Sequence, residues 1–513
     1  MISVPNHLPR LSGNKICTAL LFSVIALSGC KALRPVQAEP KPKPKRETVA
    51  KPRNNDAEYL PDIQPTLVYD PVKQQWVRVL SGPRAKMDTL QYAMLTNTPR
   101  ISSYPSYPPR KIKLPAPSVL PKPAEEDDWR TRGWVPVEKK NTYKIALALP
   151  FSVATADGGS STNADSRVAA WALNFYAGLK LAGPLLEEEG ISIEVQALDT
   201  RADGQAMASL LGQQAMQEAD VIIGPYRREN IRMAADFAQK NKKVLVSPYS
   251  AVSGLVEKNP GFIQVSPSLE SHCRAQLQHA LREFVPEEIL LISRENPAEK
   301  TCVDFLQKAN LDFAGNPQAQ PLRTLNITNT SYAGISVAPA LKGREQVAII
   351  IPSWADQNFV FFLLRRIAEA KTENQRIAVY GMPQWMEYEN FEYEYFERLH
   401  VRVSSHAFLD PLDEGVKAFR KSYFNTYGTV PNMAAFQGYD LFLYLGRMLM
   451  EYGVYFQYYM PKNPGHYLHT WFEFKPVLVP GAASAELSDN ILSFENRYVH
   501  ILEFRDYQFS ALR

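Results

Sequence analysis

From Tyr143 onward, short apolar runs of four to seven residues alternate with longer segments whose apolar residues recur at helical spacing. A chain of this texture has few solutions. Strands that are apolar along their whole length must be covered on both faces, and the intervening amphipathic segments supply the cover, so the pattern predicts parallel sheets flanked by helices. Lys144 to Pro150 (KIALALP) reads as a first strand and Ala170 to Glu189 as a helix, with Trp171, Phe175, Leu179 and Leu186 on its buried stripe. Strand Ile191–Leu198, helix Gly204–Gln217, strand Ala219–Ile223, helix Arg228–Gln239 and strand Lys243–Val246 follow, and Phe262–Val265 reads as an edge strand. Right-handed crossovers are expected throughout.

A second series opens at Ser268: helix Leu269–Phe284, strand Glu288–Ser293, helix Thr301–Phe313, strand Gln346–Ile351, helix Asp356–Ala370, and strands Arg376–Tyr380 and Leu399–Ser404. Two such series predict an α/β fold of two doubly wound parallel-sheet lobes with a hinge and a cleft between them. Helices Gly415–Tyr427 and Pro431–Tyr452 are expected to cross back to the first lobe. Asn496–Ser510, alternating around Arg505-Asp506, is expected to close the chain as a hairpin. The body thus runs over 141–513, with lobe 1 at about 142–266 plus 430–513 and lobe 2 at about 267–429.

The preceding residues are of another kind. Arg10 and Lys15, the apolar run Ile16–Leu27 and then Leu27-Ser28-Gly29-Cys30 have the order of a secretory signal peptide over 1–29. The run is shorter than the roughly 20 residues that span a bilayer. Leu-Ser-Gly-Cys resembles the lipobox of bacterial lipoproteins, which implies a diacylglycerol on Cys30 and an N-acyl chain beside it, enough for stable membrane attachment. Lys31 rather than Asp after the cysteine implies the outer membrane, by the sorting pattern of enteric bacteria. Residues 30–56 form a linker whose Pro40-Lys41-Pro42-Lys43-Pro44-Lys45 is an extended spacer. Residues 57–140 remain proline-rich and partly ordered, with short strands at Gln75–Leu80 and Met87–Tyr92.

The net charge of +4 comes from these leading segments: Lys31–Asp56 holds eight Lys/Arg against three Asp/Glu. The body is therefore slightly acidic, and nucleic-acid binding is set aside. With Cys17 in the leader and Cys30 lipidated, Cys273 and Cys302 remain. Each lies near the N-terminus of a helix flanking strand Glu288–Ser293, at the same sheet edge, and an oxidising compartment then favours a disulfide between them.

The order of motifs resembles the type I periplasmic-binding fold of leucine/isoleucine/valine-binding proteins and receptor ligand-binding regions. The resemblance covers about 142–510. It rests on KIALALP, Asn174-Phe175-Tyr176-Ala177-Gly178, Asp199-Thr200, Ile222-Ile223-Gly224-Pro225, Ser247-Pro248-Tyr249-Ser250 and Phe436-Gln437-Gly438-Tyr439-Asp440. Ligands on such sheets bind beyond the carboxyl ends of the strands, which directs attention to Ser152–Ser166, Gly224–Arg227, Ser247–Ser250 and Pro352–Asp356. The resemblance implies that Ser247, Tyr249 and Ser250 hold a carboxylate and that Asp356 in the other lobe holds an ammonium, with Ser152 beside them. Tyr226-Arg227-Arg228 departs from relatives that have small hydroxyl residues there. These residues suit an anionic ligand or a protein partner, or are a solvated helix start.

The chain also resembles lipoproteins of this fold that often carry lysin-motif repeats, and envelope lipoproteins that activate peptidoglycan synthases, although no lysin-motif repeat is present. No Walker loop, Gly-x-Ser-x-Gly, His-Glu-x-x-His or Cys-x-x-Cys occurs. No cofactor or metal is expected, and the histidines read as surface or capping residues. The sequence therefore predicts a non-enzymatic, lipid-anchored envelope protein that binds a small polar or amino-acid-like solute, as ABC-type substrate-binding proteins do. The alternatives are a protein-interaction regulator of peptidoglycan synthesis and, as outsider, a hydrolase.

Overall fold

In the computed structural model the described residues are 65–70, 75–80, 137–152, 163–201, 203–252, 254–256, 258–328, 334–388, 392–479 and 490–512. The leader, Cys30, the linker, Met87–Tyr92 and the loop 153–162 lie outside them. The chain divides into two compact units, Met1–Pro108 and Pro109–Arg513. In the first, β1 (Pro65–Asp70) and β2 (Gln75–Leu80) form an antiparallel pair.

The second unit holds two seven-stranded sheets. The first begins with β3 (Tyr143–Leu149), α1 (Asn163–Glu188), β4 (Ile193–Asp199), α2 (Gly204–Leu211) and α3 (Gln214–Glu218). It continues with β5 (Val221–Ile223), α4 (Arg228–Lys240), β6 (Val244–Ser247) and β7 (Phe262–Gln264). The chain then enters the second lobe through α5 (Leu269–Ala280), β8 (Ile289–Arg294), α6 (Pro297–Ala314), β9 (Arg323–Ile327) and α7 (Ala338–Leu341). There follow β10 (Gln346–Ile350), α8 (Gln357–Ala370), β11 (Arg376–Gly381), α9 (Tyr393–Arg398) and β12 (Arg402–Ser405). Helices α10 (Glu414–Tyr427) and α11 (Met433–Tyr452) return to the first lobe. After them come β13 (Gly465–His466), β14 (Trp471–Phe472), β15 (Phe474–Leu478), β16 (Ile491–Asn496), β17 (His500–Arg505) and β18 (Gln508–Ala511).

Spatial order is β15-β16-β7-β6-β5-β3-β4 in one sheet and β18-β17-β12-β11-β10-β8-β9 in the other. The central strands are parallel and buried on both faces, as their continuous apolar runs require. This is the expected α/β architecture of two doubly wound lobes, with several local departures. Helix α1 starts seven residues before the expected Ala170, because its first turn is polar and carries Asp165, a charge that suits a helix N-terminus. The expected helix 204–217 is two, since α2 stops at Gly212 and Gln213 is extended. Strand β7 is interior rather than an edge, because β16 pairs with it in parallel.

The C-terminal hairpin forms as expected around Asp506-Tyr507 but does not join lobe 1. It extends the second sheet, where β17 sets Glu503 opposite Arg402 of β12. Both side chains are buried, with Nε to Oε2 at 2.9 Å, and Arg402 also reaches Glu283 and Tyr380. Buried charges need partners: Glu283 supplies one for Arg402 from lobe 2 itself, and Arg402 supplies one for the buried Glu503 because the hairpin lies on lobe 2. Helix α10 crosses back as expected and packs Val416, Phe419 and Tyr423 into the core of lobe 1, so the boundary of lobe 2 falls before it instead of at 429.

That core is organised by the crossing of α1 and α11. A Cβ built on Gly178 would run into the carbonyl oxygen of Ala435, and one built on Gly438 into that of Phe175. The two backbones touch, and Phe175, Leu179, Phe436, Leu441 and Leu445 close around the contact. Overpacking costs about 1–3 kcal/mol, and a backbone-to-backbone contact falls at the upper end because neither carbonyl can rotate away. Gly178→Ala or Gly438→Ala should therefore lower Tm by several degrees in a thermal melt, whereas Gly183→Ala on the same helix, where a Cβ meets open space, should not.

Candidate functional site

Three connections join the lobes: 265–268 after β7, 406–413 after β12 and 497–499 after β16. All leave from carboxyl ends of parallel-sheet strands, so the carboxyl edges of both sheets border the junction, where ligands bind on such sheets.

On the lobe 1 side, Tyr226 follows β5 and Tyr249 follows β6. Their rings stack at 4.1 Å between centroids, and Trp171 of α1 packs against both at 5.4 and 5.3 Å. Burial, and then its hydrogen bond to Tyr249, pushes the Tyr226 hydroxyl above its usual range. Tyr249 remains 47% exposed. Arg227 is exposed beside them, 3.5 Å from Asp165. Ser152 adopts φ 55° and donates its backbone N–H to Asp199 at 3.0 Å. Ser247 is fully inside the sheet with its hydroxyl unpartnered, and Ser250 is buried, its oxygen 3.5 Å from Val252 N. The structure thus brings Tyr226, Arg227 and Tyr249 to one surface and withdraws Ser247 and Ser250 beneath it.

On the lobe 2 side, Asp356 caps α8, accepting from Phe359 N at 3.0 Å, and is bound by Arg294 Nη1 at 2.9 Å. Arg294, at the end of β8, also holds Glu299 through two contacts and Ser353 at 3.0 Å, and lies over the Phe359 ring. Asp356 therefore already has a cation. The sequence reading missed Trp171 as a wall residue and it missed Arg294, whereas Ser353 lies in the loop Pro352–Asp356 to which it pointed. Arg294 stands at the carboxyl end of β8, a position that marks it without any motif.

Four histidines converge on the junction. His272 lies on α5, His406 follows β12, His469 lies between β13 and β14, and His500 opens β17. His469 Nδ1 is 2.5 Å from Oδ2 of Asp440, a fully buried carboxylate whose other oxygen has no partner. His500 Nε2 contacts the His469 carbonyl at 3.3 Å, and His406 Nε2 contacts Gln437 at 3.1 Å. A small hollow on the lobe 1 side of the connections is lined by Phe175, Pro248, Val265, His406, Gln437 and His469. The surface or capping role expected of the histidines does not hold for these.

Cys273 and Cys302 are brought together from α5 and α6, as the sequence implied, but the expected disulfide is not formed: both are free thiols. They sit in the apolar core of lobe 2 among Leu277, Leu291 and Leu306, where a thiol packs as a small hydrophobe. A hydrogen bond to Cys302, and then burial, pushes the Cys273 thiol well above its usual range.

No family model matches the chain, and no curated protein matches it. Solved structures do. A putative branched-chain amino acid ABC transporter protein from Rhodospirillum rubrum matches at TM-score 0.52 and 13% identity, covering 72% of this chain and 100% of its own. An ABC transporter substrate-binding protein from Desulfitobacterium hafniense in complex with Leu matches at 0.44 and 16%, covering 72% and 100%. Full-length LpoA from Haemophilus influenzae matches at 0.48 and 12%, covering 73% of this chain and 60% of that one. With the two sheets and three crossovers described above, the first of these defines the fold class: a two-lobed type I periplasmic-binding-protein fold.

Burial holds His272 down to about 3 and His406 and His500 down to about 4. In the unfolded chain they titrate near 6.5. Their native environment therefore stabilises the fold fully above about pH 6.5, and that contribution is lost as pH falls toward 4, by on the order of 1 kcal/mol per pH unit for each histidine. Tm followed from pH 7.5 to 4 should fall across this window, and His272→Asn with His406→Gln should flatten the fall. An unchanged slope in the double variant would show that other groups set it.

Proposed function

We propose that the chain is a non-enzymatic binding module of the cell envelope, tethered through lipid on Cys30, that takes a small polar or amino-acid-like solute between its lobes. The observation that carries this reading is the wall at the carboxyl edge of lobe 1. Trp171, Tyr226 and Tyr249 present an aromatic surface with Arg227 exposed at its margin, an arrangement that suits a ligand with an apolar part and a negative charge. The fold supports it, since a hinge between two lobes lets such a wall close on what it binds.

A second reading, an interaction module that regulates peptidoglycan synthesis with a cleft no longer used for solutes, is favoured by one finding. Two groups that amino-acid binding would use are engaged otherwise: Asp356 by Arg294, and Ser247 by burial in the sheet.

A thermal-shift screen of the protein against amino acids, sugars and cell-wall peptides separates the two. A ligand present at 100 times its Kd stabilises by about 2.7 kcal/mol, a rise in Tm of a few degrees for a body of this size. The solute reading expects such a hit among the anionic members, reduced at least tenfold in affinity by Arg227→Ala and by Tyr249→Ala. No shift across the panel, together with a protein partner captured by crosslinking in the envelope, would decide for the second reading.

A further inference from the structure

Helix α10 has two faces. Val416, Phe419 and Tyr423 enter the core of lobe 1, while Lys417, Lys421 and Phe424 are exposed and follow one another at helical spacing on the outward side. The helix ends at Gly428, which takes φ 69° and returns its N–H to the Phe424 carbonyl at 2.8 Å. Gly428-Thr429-Val430-Pro431 then turns the chain into α11, which Asn432 caps. The turn is held from both sides. Tyr423 donates to Asn174 of α1 at 2.9 Å and Tyr427 to the Ala177 carbonyl at 3.1 Å, and α11 lies against the α1 backbone at Gly438.

What this fixed turn presents is apolar. Phe424 is 50% exposed, Tyr427 36% and Val430 70%, three of the twelve large apolar side chains that stand exposed among the described residues, all within seven positions. Single exposed apolar residues are ordinary, but a cluster marks an interaction site. A residue as exposed as Val430 at the apex of a turn has no groove around it, so the cluster is a projection and not a pocket.

Charge says what it projects into. Arg420 and Lys421 lie one turn before Phe424, and Lys180 of α1 reaches over the ring of Tyr176, a neighbour of Tyr427. Among the described residues none of these three cations is in an ion pair. The nearest carboxylates along the same helices are Glu414, already on Lys417 at 2.9 Å, and Glu187, two turns beyond Lys180. A protein partner would have to supply a pocket for each ring and carboxylates in register with cations on two helices. An anionic bilayer needs neither: its interface accepts large apolar side chains, and its surface potential attracts each Lys and Arg without a fixed geometry.

We propose that the α10–α11 turn docks on an anionic membrane surface, with Phe424, Tyr427 and Val430 at the headgroup boundary and Lys180, Arg420 and Lys421 against the lipid phosphates. The inference rests on the envelope setting proposed above, and not on which solute or partner the lobes take. Lobe 1 then has a second point of attachment. Glu138, where the chain leaves toward Cys30, stands beside the other end of α11, about 30 Å from the turn at 1.5 Å per helical residue. The turn, and not the tether alone, sets which side of lobe 1 faces the bilayer.

Hydrogen–deuterium exchange of the full chain carrying Cys30→Ser tests it, so that no lipid delivers the protein to the vesicles. The basic leading segments also attract anionic vesicles, and the readout is therefore local, on peptides covering 417–432. These amides should exchange at least about tenfold more slowly with vesicles of phosphatidylglycerol and phosphatidylethanolamine than without them, and no more slowly with phosphatidylcholine alone, while β10 stays unchanged. The protection should be lost in Arg420→Glu/Lys421→Glu and in Phe424→Ser/Val430→Ser, exposed positions at which Tm should stay that of the parent. Equal protection in parent and variants overturns the proposal, as does no protection on the anionic vesicles. Protection by soluble polyglutamate but not by vesicles would identify an acidic protein as the occupant, and protection without vesicles that grows with protein concentration would identify a second copy; either overturns it.

Discussion

The close approach of α1 and α11, with Gly178 against the Ala435 backbone and Gly438 against the Phe175 backbone, is the constraint on which the rest of lobe 1 depends. Helix α11 arrives only after the chain has built lobe 2 except for its C-terminal hairpin, so its grip on α1 ties the excursion back to its beginning. Side chains of ordinary size would hold the helices near 8–10 Å apart; two glycines facing the partner's backbone let them approach further. The aromatic residues around the crossing then seal it: Phe175 and Phe436 are fully buried, and the Phe436 ring lies 4.4 Å from that of Phe419 on α10. Trp171 stands one turn before Phe175 and stacks on it at 5.2 Å. The helix crossing therefore also sets the height of the aromatic wall at the carboxyl edge.

The junction follows from the same excursion. Because the three connections leave carboxyl ends of strands, the loops that could meet a ligand and the segments that would bend on closure are neighbours. Glu495, at the end of β16, accepts from Ser268 N at 2.8 Å and from Ser271 Oγ at 2.7 Å. One carboxylate thus holds the first connection to the strand that begins the third. Among the histidines that fill the rest of the space, burial disfavours the charged form of His272, His406 and His500.

Much of this was legible in the sequence because parallel strands buried on both faces leave no ambiguity of period. Strands β3 and β11 and helices α4 and α8 fall within about one residue of their expected limits, and the returning helices are where the apolar stripes put them. What failed was long-range. Nothing local in Tyr498–Ser510 says which sheet it joins; the answer lies in β12, about a hundred positions earlier, where Arg402 pairs with Glu503 across the ladder. At the candidate site, Tyr226, Arg227 and Tyr249 share one surface in the strand-end loops to which the sequence pointed. Ser247 was assigned a ligand role by resemblance, but β6 is buried along its whole length and its hydroxyl with it. Asp356 was seen as a free acid because its cation, Arg294, comes from another strand.

Two lobes joined by three short connections, with an aromatic wall at the carboxyl edge of lobe 1, should close on what they bind. Spin labels at Glu229, in the first turn after β5, and at Glu295, after β8, report the distance between the two carboxyl edges. The account predicts a broad or two-component distance distribution in the free protein that narrows when a bound solute or partner closes the lobes. One narrow distance, the same free and bound, would contradict a closing two-lobed module.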